Sequence, residues 1–370
     1  MKDLRIKDIC DKGSSNIKQK DVEGKEGLYP LYGASGVISH IDTYHQEENY
    51  IAIVKDGSGI GRVSFMPAKS SVIGTMQYIL PKKGFNINYI GYCLQSLDLS
   101  KYKQGAAIPH IYFRDYGERI VKVSEDLIEQ QSIVDYLDSA FAKIDAMKAN
   151  SEKALNEAKA LFQASLKEML EPKEGWEEKT LGNIGNLKNG MNYNKNEYGY
   201  DIHILGVGDF GNLFQINDTD LLQRIQLNSN PSEEYILKNE DIVFVRSNGN
   251  KNLVGRCVLI HVGDEHCSFS GFCIRFRKST NEVDAYYLTY FLKTEDARKK
   301  LVGNGANISN LNQKNLNEFV VSYPSILEQQ SIVSTLDSLK SKVDRMQANY
   351  DKISQECGAL KQAILRQVFE

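Results

Sequence analysis

Residues 129–134 read Glu-Gln-Gln-Ser-Ile-Val, and the same six residues recur at 328–333, an offset of 199 positions. When the offset is carried through residues 129–150, 14 of the 22 positions are identical. A match of this length at one fixed offset indicates an internal duplication, in which each copy is one structural unit. Both copies continue with helically spaced apolar residues, and each is predicted to be one long helix.

Apolar residues in the second copy alternate at three and four positions, which is the spacing of a coiled-coil seam. The first copy carries smaller residues, mostly Ala and Ser, at the matching positions. Large side chains of one helix can fill the space opposite small ones, so we expect the two helices to pair with each other as an antiparallel coiled coil. The predicted pairing positions are Leu137, Ile144, Ala154 and Ala158 in the first helix and Leu336, Val343, Tyr350, Ile353 and Leu360 in the second.

The first helix has further apolar residues outside this seam. They are Phe141, Leu155, Phe162, Leu166 and Met169. Two interpretations stay open: these residues pack against the helix's own domain, or they form a surface for a partner protein.

The remaining sequence divides into two globular segments, because 370 residues exceed the usual size of one hydrophobic core. Short runs rich in β-branched residues, such as 50–54, 62–65, 241–245 and 256–260, predict strands. Short helices are expected at 89–95 and 285–292. The chain is therefore predicted to be α+β, with two β-rich globular domains separated by two long helices in a pseudo-two-fold internal repeat. The predicted segments are domain 1 (1–127), the central helix (128–171), domain 2 (172–326) and the C-terminal helix (327–370).

Composition excludes several classes of protein. The sequence contains no run approaching the roughly 18 apolar residues that a membrane span requires. The N-terminus has no signal-peptide pattern, so a cytoplasmic protein is expected. The six cysteines are scattered and are expected to be reduced. His261, His266, Cys267 and Cys273 fit no standard zinc spacing, and no metal is expected. The net charge of −3 does not by itself indicate a nucleic-acid-binding protein.

The duplicated sequence resembles the specificity subunit of type I restriction-modification systems. The resemblance covers essentially the whole chain and rests on the Glu-Gln-Gln-x-Ile motif of both helices, on residues 29–36 (YPLYGASG), and on residues 241–250 (DIVFVRSNGN) followed by Gly255-Arg256. It implies a non-catalytic subunit in which each domain reads one half of a split, asymmetric DNA site. It also implies that the helices bind two methyltransferase subunits, which modify adenine, and that two translocase-endonuclease subunits complete the enzyme. S-adenosylmethionine, ATP and Mg would then lie on the partner subunits, with no cofactor in this chain.

The length of the helices agrees with a bipartite site. About 40 helical residues at a rise of ~1.5 Å give a spacer of roughly 60 Å. Two domains at the ends of such a spacer would meet B-DNA on the order of one to one and a half turns apart.

Loops rich in Gly, Asn and basic residues are the candidate DNA contacts, since Arg can form bidentate hydrogen bonds to guanine and Asn to adenine. The same residues are also common in plain turns. The candidates are Lys55, Ser58, Arg62, His110 and Arg114 in domain 1, and Arg246, Asn248, Asn250, Lys251, Asn252, Arg256, Asn307 and Asn310 in domain 2, with Asn304 in the same cluster as the last two.

An enzymatic function finds little support in the sequence. Residues 57–61 (GSGIG) lack the spacing of a dinucleotide loop and are predicted to be a hairpin turn. Neither a Walker loop nor the Asn/Asp-Pro-Pro-aromatic motif of amino-methyltransferases occurs. Two alternatives to the separate DNA-reading subunit stay open: a coiled-coil scaffold that binds no DNA, which the net charge favours, and the recognition subunit of a fused restriction-methylation enzyme.

Overall fold

The computed structural model describes residues 1–24, 26–105, 109–194, 197–211, 213–263, 266–302 and 310–370, without the side chain of Lys251. These residues form two compact units, and each is treated by itself below. Unit 1 contains Met1–Ala154 and Ala348–Glu370, and unit 2 contains Leu155–Gln347. Each unit thus includes part of both long helices, whereas the predicted segments kept the helices apart from the domains. The segment limits stay a prediction.

Unit 1 contains nine strands in its described residues. They are β1 (Lys2–Arg5), β2 (Cys10–Ser14), β3 (Tyr29–Gly33), β4 (Gly36–Ile41), β5 (Tyr50–Val54), β6 (Val63–Met66), β7 (Ser71–Val72), β8 (Met76–Pro81) and β9 (Ile120–Val123). Its helices are α1 (Ile6–Ile9), α2 (Ile87–Ser96), α3 (Phe113–Tyr116), the first part of α4 (Leu127–Leu170) and the last part of the C-terminal helix, with 3-10 turns at Gln19–Asp21 and Leu99–Tyr102.

Three sheets organise unit 1. They have the strand orders β1-β9, β2-β8-β5-β6 and β4-β3-β7. All five residues of β5 are buried, as expected of a continuous run of β-branched and aromatic residues in the centre of a sheet. Helix α2 begins after Asn86, whose side chain accepts hydrogen bonds from the backbone N–H groups of Asn88 and Tyr89.

Unit 2 contains ten strands in its described residues. They are β10 (Glu177–Thr180), β11 (Gly185–Asn189), β12 (Tyr200–Leu205), β13 (Gln215–Ile216), β14 (Gln223–Leu227), β15 (Ile242–Val245), β16 (Cys257–Ile260), β17 (Cys267–Phe269), β18 (Cys273–Lys278) and β19 (Val320–Tyr323). Its helices are the last part of α4, α5 (Leu181–Ile184), α6 (Ala285–Lys293), α7 (Glu295–Val302), α8 (Gln313–Asn317) and the first part of α9 (Ile326–Phe369). Short 3-10 turns occur at Val207–Asp209, Glu233–Tyr235 and Lys251–Leu253.

The sheets of unit 2 repeat those of unit 1. Their orders are β10-β19, β11-β18-β15-β16-β13 and β14-β12-β17. In both units, one strand of the three-stranded sheet pairs antiparallel on one side and parallel on the other, β3 in unit 1 and β12 in unit 2. The internal repeat and the α+β class are therefore confirmed. The predicted strands at 50–54, 62–65, 241–245 and 256–260 and the two short helices are also present within three residues of the predicted limits.

The two long helices run antiparallel in both units. In unit 1, α9 lies beside the start of α4: Lys361 Nζ lies 2.6 Å from Asp145 Oδ1, and Leu365 and Phe369 enter the core that contains Leu137. In unit 2, Lys159 Nζ lies 2.7 Å from Gln347 Oε1, and Leu336 joins the core that contains Leu166 and Leu170. The predicted antiparallel pairing is confirmed.

The positions that face the partner helix differ in part from the predicted seam. Leu137, Ile144 and Leu336 are buried, and Ala154, Ala158, Val343, Tyr350 and Ile353 are half-buried. The prediction that Leu360 faces the other helix is wrong, because this residue is 48% exposed. The seven-residue repeat holds from Leu336 through Val343 and Tyr350 to Cys357, all of which are buried or half-buried. After Cys357 the covered positions include Lys361 and Leu365, each four residues further on, so Lys361 takes the place expected for Leu360.

Four of the five further apolar residues predicted outside the seam pack against a core of their own unit, and the fifth, Leu155, is buried. Phe141 lies 5.5 Å from the ring of Tyr92 in unit 1. In unit 2, Phe162, Leu166 and Met169 belong to the core or pack against it. Packing against the helix's own domain therefore accounts for these side chains.

In the described part of the chain, no helix is both long enough and apolar enough to cross a membrane. All six cysteines are buried. Burial raises the pKa of the Cys93 and Cys273 thiols to about 12, so both stay protonated at neutral pH.

Candidate nucleic-acid interface

The glycine-rich segment of unit 1 is a hairpin loop between β5 and β6, as predicted. The backbone N–H of Gly61 donates to the carbonyl of Val54 over 2.8 Å and closes the loop. Gly61 has a φ of +82°, and a Cβ there would lie 2.9 Å from the backbone nitrogen of Ser100, so only glycine fits. Ser58 lies exposed at the tip of this loop.

The segment that carries His110 lies against this hairpin. The backbone N–H of Ile111 donates to the carbonyl of Lys55 over 2.9 Å, and that of Gly57 donates to the carbonyl of Pro109 over 3.1 Å. The two candidate regions of domain 1, far apart in sequence, are therefore brought together. His110 Nδ1 lies 2.6 Å from Asp56 Oδ1, and Lys55 Nζ lies 3.9 Å from the other oxygen of the same carboxylate.

A stack of three side chains extends from His110 along the surface. The rings of His110 and Tyr112 are stacked with centroids 6.3 Å apart, and the guanidinium of Arg114 lies 4.6 Å from the centroid of Tyr112. Tyr112 is 43% exposed. The Arg114 side chain is 74% exposed. A half-exposed aromatic ring between an imidazole and a guanidinium offers both a stacking face and a charge to nucleic acid.

Arg62 has a different position. Its Nη1 donates to the carbonyl of Ala34 over 2.9 Å, and its guanidinium covers Gly59. The side chain therefore ties the hairpin to the loop between β3 and β4. A base contact by Arg62 stays a prediction.

In unit 2 the chain leaves β15 into the loop that begins at Arg246. The backbone N–H of Leu311 donates to the carbonyl of Arg246 over 2.7 Å, and Ser247 forms a β-bridge with Asn310. The backbone N–H of Arg246 donates to the carbonyl of Phe272 over 2.8 Å, and its Nη1 lies 3.4 Å from the carbonyl of Gly271. Again two candidate regions meet at the end of one central strand.

An open cleft of about 620 Å³ lies at this point of unit 2. Its side chains offer hydrogen-bond donors and acceptors and one exposed aromatic ring, but no Lys or Arg among the described residues. They include Tyr193, Asp209, Gln223, Ser247, Asn248, Phe272 and Asn310. A polar cleft that carries the Asp209 carboxylate and no described cation suits the edges of bases better than phosphates, which are bound mainly by cations. Tyr193, Gln223 and Phe272 were not predicted.

The asparagines after Ser247 stabilise their own loop. Asn248 Oδ1 accepts from the backbone N–H of Asn250 over 2.8 Å, and Asn250 Oδ1 accepts from that of Asn252 over 3.1 Å. These contacts are turn-forming hydrogen bonds of the kind Asn often makes. Only Asn248 of the three lines the cleft. Asn304, Asn307 and the Lys251 side chain lie outside the described residues.

Arg256 is the counterpart of Arg62. Its Nη1 donates to the carbonyl of Gly211 over 2.9 Å and its Nε to that of Asn252 over 3.3 Å. Both arginines follow a glycine that closes a loop by bonding to the central strand, Gly61 to Val54 and Gly255 to Val245. The Gly-Arg repeat of the sequence thus marks a bracing contact that occurs in both units.

The repeated motif contains a residue whose role the sequence did not reveal. Gln130 is fully buried; its Oε1 accepts from the backbone N–H of Asn86 over 2.6 Å, and its Nε2 donates to the carbonyls of Gly84 and Ser124. Gln329 repeats this arrangement with the N–H of Asp284 and the carbonyls of Glu282 and Pro324. Each glutamine therefore holds the start of a long helix against the loop before the short helix of its unit.

Within the described ranges, His, Cys, Asp and Glu side chains do not gather in a group of three or more that could hold a metal ion. Of the four residues considered for zinc, His261 and His266 are exposed, whereas Cys267 and Cys273 are buried.

A family model and two relatives of known name agree on the family that this chain resembles. Residues 1–157 and 173–355 match the model of the type I restriction modification DNA specificity domain. The type I restriction enzyme StySPI specificity subunit of Salmonella potsdam is 25% identical over 308 residues, which are 78% of this chain and 66% of that protein. The EcoKI specificity subunit of Escherichia coli (strain K12) is 32% identical over 128 residues, which are 34% of this chain and 27% of that protein. The chain thus spans at most about two thirds of these relatives.

Two solved structures share the fold. A chain from a study of complex assembly and conformational transition of the type I R-M system has a TM-score of 0.73 and 15% identity, and the match covers 98% of this chain and 96% of that one. The HsdS subunit from Thermoanaerobacter tengcongensis has a TM-score of 0.56 and 15% identity, with 98% and 95% coverage. With the family model matching most of its length, the chain belongs to the type I restriction modification DNA specificity domain family.

Proposed function

We propose that this chain is the DNA-reading specificity subunit of a type I restriction-modification complex. One observation carries the proposal: the same backbone framework at the end of the central strand presents His110, Tyr112 and Arg114 in unit 1 and a polar cleft with Asn248 and Asn310 in unit 2. Equivalent frameworks with different exposed side chains suit two readers of different sequences. Each unit would therefore read one half of a bipartite, asymmetric site.

We infer that the chain supplies recognition and that partner subunits supply catalysis. Two methyltransferase subunits would dock on the long helices, and translocase-endonuclease subunits would complete the complex. S-adenosylmethionine, ATP and Mg would be bound by these partners. The family of the chain and the assembly named for its structural neighbour support this division of labour. We infer a cytoplasmic location, because a chain that reads DNA in a restriction-modification complex works where that DNA is.

Methylome sequencing tests the proposal. Cells that express this chain with its methyltransferase partner should carry methyladenine in one bipartite motif, and cells without the chain should lack that methylation. Methylation that does not depend on the chain would contradict the proposal. Methyl transfer from S-adenosylmethionine to DNA by the purified chain alone would contradict the assignment of catalysis to the partners.

A further inference from the structure

A second cavity in unit 2, of about 360 Å³, shares no lining residue with the polar cleft. Its walls combine aromatic rings with basic side chains. The aromatic residues are Phe162, Phe210, Phe214 and Tyr290, and the basic residues are Arg256, Lys293, Arg298 and Lys340. This size lies within the range of small-ligand sites.

The cations of this cavity are held together by neutral groups. Arg256 Nε and Arg298 Nη2 donate to the same oxygen, the backbone carbonyl of Asn252. Lys293 Nζ donates to the carbonyl of Leu213 over 2.8 Å. A carbonyl satisfies a donor but does not neutralise its charge. Three positive charges are thus gathered at one place.

Among the described residues, no carboxylate forms an ion pair with Arg256, Lys293 or Arg298, whereas Lys340 pairs with Asp344 over 2.6 Å. Burial, and after it the neighbouring cations, lowers the pKa of both Lys293 and Arg298. A guanidinium has five N–H donors, of which the described bonds use two in Arg256 and one in Arg298. The cluster therefore has both the charge and the donors to receive an anion.

Unit 1 shows that the fold does not need the charge of Lys293. Tyr290 and Tyr92 are equivalent, because each donates a hydrogen bond to an aspartate of a long helix, Asp337 and Asp138 respectively. Three residues further on, Lys293 is replaced in unit 1 by Gln95, which donates to the carbonyl of Val63, whereas Lys293 donates to that of Leu213 in a different segment. A neutral side chain at this position of the short helix is thus compatible with the fold.

We propose that this cavity binds a nucleotide, with its phosphate on Arg256, Lys293 and Arg298 and its base against the aromatic walls. Arginine forms paired hydrogen bonds with phosphate oxygens, and planar bases stack on Phe and Tyr rings. The nucleotide can come from two sources with the same chemistry: a free mononucleotide, or a nucleotide unit of the bound DNA.

Calorimetric titration of the full chain with AMP tests whether the cavity binds a free mononucleotide. Adenosine, which lacks the phosphate, and inorganic phosphate, which lacks the base, are titrated for comparison. A duplex titration tests the DNA source. Lys293→Gln is the main variant, since it introduces the residue of unit 1, and Lys340→Gln at the same cavity is the second in case the first fails to fold. Arg345→Gln is the matched control, because Arg345 lies exposed on α9 and the same charge is lost.

The expected result is that AMP binds and adenosine does not, and that Lys293→Gln weakens AMP binding about tenfold, the effect of one charge-assisted hydrogen bond. If the nucleotide belongs to DNA, AMP does not bind and Lys293→Gln weakens duplex binding about tenfold more than Arg345→Gln does. The proposal is overturned if AMP does not bind and both cavity variants bind the duplex as the control does. Because the AMP titration contains no DNA, its outcome is independent of the proposed reading function.

Discussion

The ends of the two central strands, β5 in unit 1 and β15 in unit 2, share a backbone and differ in the side chains they expose. In both, the first residue after the strand accepts a backbone hydrogen bond from a distant loop, Lys55 from Ile111 and Arg246 from Leu311. The next positions form the bridges Asp56–His110 and Ser247–Asn310. Backbone pairing needs no particular side chain, so the framework can be kept while the exposed residues change.

The exposed side chains of the two units differ in charge. Unit 1 presents the Lys55–Asp56 ion pair, an aromatic ring and Arg114, whereas unit 2 presents a cleft with amide, hydroxyl and carboxylate groups and no described cation. Charged groups act mainly on phosphates, and amides act mainly on base edges. Unit 1 is therefore expected to contribute more to the salt dependence of DNA binding, and unit 2 less.

The largest expected effect tests the shared framework. Gln130→Ala and Gln329→Ala each leave one backbone N–H and two carbonyls without their partner. Each should lower the free energy of unfolding of its unit by about 3 kcal/mol, measured by hydrogen exchange. The neighbouring exposed residues provide controls, and Gln131→Ala and Gln330→Ala should cost less than about 1 kcal/mol. Unequal losses of unfolding free energy in the two units would show that Gln130 and Gln329 do not have equivalent roles.

A smaller effect tests the difference in charge. Arg114→Ala should reduce the slope of log affinity against log salt by about 0.9, because one phosphate contact is lost. Asn310→Ala should leave this slope unchanged. Fluorescence anisotropy with a labelled duplex over a salt series measures both. Equal slopes for the two variants would show that unit 1 does not act through this charge.

The smallest effect concerns pH and two equivalent tyrosines. Burial raises the pKa of Tyr89 to about 12, against the effect of the Ser124 N–H that donates to its hydroxyl. Burial also raises the pKa of Tyr287, whose hydroxyl instead donates to the Ser322 carbonyl. A raised folded-state pKa means that stability is fully present below pH 10, the ordinary value, and is lost as the pH rises toward the folded-state value.

Urea unfolding of each unit, followed from about pH 9 to pH 11, measures this loss. Tyr89→Phe and Tyr287→Phe should each flatten the alkaline decline in their own unit. Both variants also lose a hydrogen bond at every pH, so the slope rather than the level is the test. An unchanged slope in both would contradict the burial of these hydroxyls.

Much of the fold could be predicted because its signals are local. Runs such as Tyr50–Val54 carry β-branched residues in series, and the duplication fixed the order of the units. The position of Leu360 could not be predicted, because the seven-residue repeat gives way to steps of four residues only after Cys357, where the helix end packs into the core of unit 1. The role of Gln130 was hidden as well, since its three partners belong to other segments that meet only in the folded unit.

The candidate site was predictable to the level of loops. The loops after β5 and β15 carry Gly, Asn and basic residues, and the structure brings each together with its second candidate region. Tyr193 and Gln223 reach the cleft of unit 2 from segments without any motif, so only the tertiary structure places them. Arg62 and Arg256 were selected for their charge, yet the structure uses both to brace loops.

Selection of bound duplexes from a library randomised across both half-sites tests the central claim most directly. The full chain with its methyltransferase partner would be compared with the same complex carrying His110→Ala or Asn310→Ala. If the two units read their half-sites independently, His110→Ala should relax base preference in one half only and Asn310→Ala in the other half only. Each loss should be about 1–3 kcal/mol at the affected base pair. Loss of preference at the same base pairs in both variants, or equally in both halves, would contradict the account.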